Sequence, residues 1–158
     1  MTTARVLPVL GFLTVAVLMA GCQRPTSVRV GPLDVTGQWS IVANNATGNG
    51  DTCSVSGLSV ALTQHDDATF TGTALAGTLI CFYLGTETAQ SVAGLTVNGT
   101  VNAPTRAIGI DVPTVGTLTG TVAPTNTFMS GTQQLTFTVG GGAQVTVTGP
   151  WSGTRTSN

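Results

Sequence analysis

One five-residue phrase recurs along this chain: "FTGTA" at 70–74, "VNGTV" at 97–101, "LTGTV" at 118–122, "MSGTQ" at 129–133 and "WSGTR" at 151–155. Side chains of a β-strand alternate between faces, so the first, third and fifth residues of each phrase share one face and the second and fourth share the other. In the first copy Phe70, Gly72 and Ala74 lie together with Thr71 and Thr73 opposite; Val97, Gly99 and Val101 repeat the arrangement, as do Leu118, Gly120 and Val122. The hydroxyl and amide side chains face water, and a Gly falls in the middle of the inner face. There it leaves room for a bulky neighbour or permits the tight bending of a strongly coiled sheet. The repeat reads as a device for building a sheet, with no chemistry of its own.

The alternation continues outside the repeats. Leu135, Phe137 and Val139 are interleaved with Thr136 and Thr138, and Val145 and Val147 with Thr146 and Thr148. Turn formers separate the runs, at "HDDA" (65–68), "NAPT" (102–105), "APTN" (123–126) and "GGG" (140–142). The stretch "NNATGNGDT" (44–52) reads as the longest irregular segment, and Pro150 as a bend or an exposed edge. Beyond the N-terminal signal helix nothing reads as helical. The expected fold is all-β: an antiparallel meander of about eight strands closed as a small barrel, with an open β-sandwich as the alternative.

The chain opens with "MTTARVLPVLGFLTVAVLMAGC", in which Arg5 precedes a short apolar run from Val6 to Met19. That is the layout of a secretory signal, too short for a spanning helix. Its last residues, Met19-Ala20-Gly21-Cys22, resemble the lipobox of bacterial lipoproteins, with Met19 where the family usually has Leu. The resemblance implies that Cys22 carries a lipid and that the protein is anchored to a bacterial envelope membrane without spanning it; two or more acyl chains make such an anchor firm. Gln23, where an Asp favours inner-membrane retention, is similar to the exported class and implies the outer membrane. Residues 1–21 are then the signal peptide, 22–34 a polar tether containing Arg24, Pro25 and Gly31-Pro32, and 35–158 one β domain.

Gly37-Gln38-Trp39 stands early in that domain, and Trp151 and Arg155 share a face of its final strand. This resembles the calycin group, lipocalins and their relatives, in which a G-x-W on the first strand packs against an Arg or Lys from the last. The resemblance implies a lipocalin-like barrel closed by Gly37, Trp39, Trp151 and Arg155, because first and last strands meet only in a closed sheet. A guanidinium over an indole would contribute roughly 0.5–2 kcal/mol. The Gly37-Gln38-Trp39 opening and its spacing to Cys53 are also similar to periplasmic metalloprotease-inhibitor barrels.

Charged residues make up 7% of the chain and all five cations are Arg, which leaves no basic patch for nucleic acid. Solubility rests on Thr hydroxyls instead, and Thr favours strands. With Cys22 assigned to the lipid, Cys53 and Cys81 remain, in a compartment where disulfides persist. Their pairing is expected to stabilise the fold by roughly 3–4 kcal/mol in the chain-entropy model, with two buried thiols as the alternative. No ligand cluster for a metal surrounds either residue.

The lone histidine, His65, sits with Asp66 and Asp67 in a turn, where carboxylates are turn formers more often than an acid/base pair. Asp111 and Glu87 are isolated acids. No catalytic residue, metal or cofactor is assigned, and the protein is expected not to be an enzyme. One segment breaks the alternation: "LICFYL", Leu79 to Leu84, is apolar on both faces. Its second face is either covered by the "NNATGNGDT" stretch or forms a docking strip of Ile80, Phe82 and Leu84. Three functions fit a lipid-anchored monomer of this kind: binding a small apolar ligand in the barrel, binding or inhibiting an envelope protein, or a structural role without a ligand.

Overall fold

The computed structural model describes residues 32–139 and 142–158. The signal peptide, Cys22 and most of the tether lie outside the described residues, as does part of the "GGG" turn. Nine strands are present among the described residues: β1 (Gly37–Gly48), β2 (Asp51–Gln64), β3 (Thr69–Tyr83), β4 (Thr86–Ser91), β5 (Thr96–Asn102), β6 (Ala107–Val112), β7 (Gly116–Val122), β8 (Phe128–Thr138) and β9 (Gln144–Ser157). Eight of them form a closed antiparallel meander in which β9 returns to pair with β1, and β4 is an additional strand paired with the upper half of β3. Closure decides for the barrel over the sandwich.

The repeats lie within β3, β5, β7, β8 and β9 with the expected faces: Phe70, Ala74, Val97, Val101, Leu118, Val122, Met129 and Trp151 are buried, while the intervening Thr71, Thr73, Asn98, Thr100 and Thr119 are exposed. Each central Gly is set against larger inner residues on neighbouring strands. Gly99 stands between Phe70 and Ile110, Gly131 beside Trp151, and Gly153 between Met129 and Ile41. A Cβ on Gly99 would overlap the Phe70 ring, and one on Gly131 would overlap the Thr119 carbonyl. The glycines thus do both things expected of them, seating bulky side chains and letting backbones approach in a tightly coiled wall.

One end of the barrel is sealed. The Trp39 indole donates to the Val35 carbonyl (2.9 Å), and the Arg155 guanidinium lies over the Trp39 ring, 5.0 Å from its centre, while donating to the Asp34 carbonyl. Gln64 grips the same segment: its Oε1 accepts from Val35 N (3.0 Å) and its Nε2 donates to the Leu33 carbonyl (3.2 Å). The last residues of the stretch assigned to a tether are therefore part of the barrel's cap, with Leu33 buried. Arg106 closes the adjacent rim through the carbonyls of Val122 and Ala123.

Two expectations are corrected. The segment 44–52 is not irregular: β1 runs through it to Gly48, and Asn49-Gly50, both at positive φ, make the two-residue turn into β2. Register shifts between Ile41 and Ala43 and between Ala43 and Ala46 break the alternation there. Pro150 is on no free edge; it lies where the β1–β9 ladder is interrupted between Ala43 and Thr47, which accommodates its missing N–H. Trp151, expected at the closure, lies on the seam itself: it is the Cα partner of Ala43 on β1 and of Gly131 on β8, and it donates to the Thr119 carbonyl (3.0 Å).

The interruption beside Pro150 also explains Gln133, the fifth residue of "MSGTQ". Completely buried, it donates through Nε2 to the carbonyls of Asn44 (3.4 Å) and Pro150 (3.2 Å), while its Oε1 has no partner among the described residues. A polar residue on the inner face here serves carbonyls that the bulge leaves without ladder partners.

Candidate functional site

Among the described residues the opposite end of the barrel is open, and its wall is incomplete. Strands β3, β8 and β9 continue upward, but the β6–β7 hairpin stops at Val112 and Gly116, with Gly116 level with Leu135 on β8. Above that level, among the described residues, β4 faces β8 with no strand between them. The Thr136 amide is taken by the Val115 carbonyl, and β8 beyond it has a neighbour only in β9. β4 pairs with β3 alone, and all six of its residues are exposed. Between β4 and β5, Val92–Leu95 bulge away from the ladder but stay attached through Val92 N to the Gly77 carbonyl and Ala74 N to the Leu95 carbonyl.

This gap holds a cleft of about 640 Å³, within the roughly 300–1,000 Å³ of ligand sites. Leu79, Val112, Val115 and Phe137 give it apolar surface; Thr88, Gln90, Thr138 and Gln144 give it hydroxyls and amides; Asp111 is its one charged group among the described residues. Below it the barrel is filled. The space left along the axis, among Val55, Val60, Val97, Leu118, Gln133 and Leu135, is about 20 Å³, of the order of one water. Of these two spaces only the mouth has room for a ligand; a further shallow cleft of about 470 Å³ lies on the wall beside Thr100, Asn102 and Thr119.

Cys53 and Cys81 face each other across β2 and β3 and form a disulfide, both side chains buried and Cys81 bordering the cleft. The bridge ties the upper part of β3 to the sheet beside the wall gap.

The apolar segment of β3 is not covered by residues 44–52. Leu79 and Cys81 point inward; Phe82 points out and is 45% exposed, Ile80 is half-buried, and Leu84 is 83% exposed. Leu84 and Gly85 form the β3–β4 turn with φ of 47° and 77°. The same two-residue turn at Asn49-Gly50 uses the residues that tolerate positive φ, whereas Leu is disfavoured there. A bulky apolar side chain is thus held in a costly backbone conformation and presented to solvent at the tip of the hairpin that flanks the cleft.

Acids lie at both ends of the barrel, but among the described residues the cations lie at one only. Asp51, Glu87 and Asp111 lie at the open end, while Arg106 and Arg155, the cations among the described residues, serve carbonyls at the sealed one. His65, Asp66 and Asp67 occupy the β2–β3 turn at the sealed end, far along the strands from the cleft. Asp67 Oδ1 accepts from the Thr69 hydroxyl (2.5 Å) and amide (3.0 Å), and these hydrogen bonds hold its carboxyl below the usual carboxylate range. His65 contacts Thr71 Oγ1 (3.1 Å). Among the described residues no group of three or more His, Cys, Asp or Glu is placed to hold a metal ion, and no helix is long and apolar enough to cross a membrane.

Of the site residues expected from the sequence, Trp39 and Arg155 meet, Gly37 lies at the start of β1 beside the end of β9, and Cys53 meets Cys81. Sequence reasoning did not find the gap between β4 and β8. "TETAQS" (86–91) carries no apolar alternation to mark it as a strand, and the premature end of β6–β7 becomes a feature only through the register of distant strands. No protein-family model matches the chain, and no curated protein is significantly similar to it.

Proposed function

We propose that the protein is a non-enzymatic lipoprotein of the bacterial envelope, anchored through lipid on Cys22 and binding an envelope partner at the open mouth of its barrel. The observation that carries this reading is the cleft of about 640 Å³ at an incomplete wall, above an interior with only about 20 Å³ left. A filled barrel acts as a rigid scaffold, and rigid scaffolds present recognition surfaces on their loops and rims. Leu84 supports the same end: an exposed apolar residue in a disfavoured conformation marks a position where local strain serves something other than packing. Gln23 after the lipobox Cys favours the outer membrane.

A small apolar ligand is the second reading, moved from the barrel axis to the mouth, where the cleft volume suits one. Native mass spectrometry of the full chain, extracted from its own envelope in mild detergent, tests both. The expected result is a specific added mass that disappears in Ala89→Trp, beside the cleft, and persists in Thr125→Trp at the sealed end. A polypeptide-sized addition supports the partner and a small one the ligand. An unoccupied chain in every sample contradicts binding at the mouth.

A further inference from the structure

We infer that the partner enters the mouth as an extended polypeptide segment, adding a strand to the free edge of β4, and that this segment carries basic residues between apolar ones. The inference rests on the mouth being a recognition site and specifies what it recognises.

The backbone supplies the first argument. Among the described residues β4 has a partner strand on one side only, and opposite it the end of β8 lacks a neighbour on the side that faces the gap. Two strand edges therefore border one cleft, each presenting backbone donors and acceptors. Proteins commonly blunt such edges with Pro, Lys, an outward bulge or a covering segment. "TETAQS" contains no Pro and no Lys, has Glu87 as its one charge, pairs in uninterrupted register with β3 from Thr86 to Ser91, and is exposed throughout. An edge left in this state is suited to strand addition, in which main-chain hydrogen bonds supply affinity and pockets for alternate side chains supply specificity.

The second argument is the lining. A strand beside β4 sends alternate side chains inward, over Leu79, Val112, Val115 and Phe137, and the others outward. The inward positions suit apolar residues. Asp111 at the cleft, Glu87 on β4 and Asp51 on the adjacent rim carry negative charge with no cation among the described residues at that end. Basic residues in the incoming segment complement this field. A second copy of the chain does not supply them, because its own β4 edge carries Glu87 and no cation.

The probe is a synthetic peptide alternating Val and Arg over six residues, labelled for fluorescence anisotropy and added to the full chain in mild detergent. Three controls accompany it: the same sequence N-methylated at alternate residues, a Val/Glu version, and a version of identical composition with its apolar and basic residues segregated. The alternating basic peptide is expected to bind best, to weaken with added salt, and to slow amide hydrogen exchange in Thr86–Ser91 and around Thr138. Combining Glu87→Gln with Asp111→Asn should weaken it by roughly twofold to thirtyfold, the range for two exposed ion pairs. Equal binding of the N-methylated peptide, protection confined to other strands, or dimerisation that protects β4 without any peptide would each overturn the inference. If native mass spectrometry finds an Ala89→Trp-sensitive small ligand while no peptide protects β4, the mouth is a site but not for a strand; if both experiments are blank, the mouth is not a recognition site.

Discussion

The Arg155 guanidinium stacks on the Trp39 ring at 5.0 Å, and the two residues are Cα partners across the seam where the last strand meets the first. Both belong to the seam that turns a sheet into a barrel, and Arg155 simultaneously holds the covering segment through the Asp34 carbonyl. Arg155→Ala removes the cation–π contact and the hydrogen bond together, so a loss of roughly 1–3 kcal/mol is expected in urea unfolding. Arg155→Lys should recover only part of it, because an ammonium lacks the planar fork that stacks and donates at once.

Replacing Gly131 with Ala sets a methyl group against the Thr119 carbonyl and the Gly120 backbone, which have no flexible side chain to move aside. Replacing Gly109, whose added Cβ would meet nothing nearer than Thr100 Oγ1 at 3.7 Å, adds only ordinary contact. Gly131→Ala should therefore destabilise by about 3 kcal/mol or more, and Gly109→Ala should stay within about 1 kcal/mol of the parent. Thermal unfolding of the two variants side by side separates a glycine that permits strand approach from one that merely occupies a strand.

Gln133→Met keeps most of the side-chain volume but removes the donor that Asn44 and Pro150 share. Two carbonyls beside the β1–β9 interruption then lose their partner, at an expected cost of about 1–3 kcal/mol. Faster amide exchange in β1 and β9 near Ala43 and Trp151 should accompany the loss, whereas simple core loosening would speed exchange around the whole barrel.

Asp67 provides the pH dependence. Its folded-state pKa is depressed by the Thr69 hydroxyl and amide, so its contribution is present above the unfolded value near 3.8 and is lost as pH falls through the lower folded value. The Thr69 amide resonance should titrate with a midpoint below 3.8, and Asp67→Asn should abolish that transition. A midpoint at or above 3.8 would contradict the hydrogen-bonded turn.

Much of the barrel was legible because its signals are local. The alternation in "FTGTA", "LTGTV" and "WSGTR" specifies which side chains enter the core, and the Gly at each centre specifies where that core needs space. Closure was legible only through Trp39 and Arg155, two residues whose types suit each other from opposite ends of the domain. Residues 44–52 were misread because two register shifts and a left-handed Asn45 scramble the period-two pattern in a strand made of Asn, Thr and Gly. The mouth was illegible for a different reason. It is formed by where β6 and β7 stop relative to β4 and β8, and relative strand height is a property of long-range pairing that no single segment encodes. Leu79–Leu84 did flag the region, since a strand apolar on both faces borders the cleft with one face and leaves Phe82 exposed on the other.

The most direct measurement of recognition at the mouth is site-specific photo-crosslinking in living cells, with a photoreactive amino acid placed at Gln90 in the cleft and, separately, at Asn102 near the sealed end. Both positions are exposed, so both variants should fold and accumulate equally. A discrete adduct from Gln90 that is absent from Asn102 is the predicted result, and it should disappear when Ala89→Trp fills the cleft. Adducts of equal yield from both positions, or from Asn102 alone, would contradict a recognition site at the open end of the barrel.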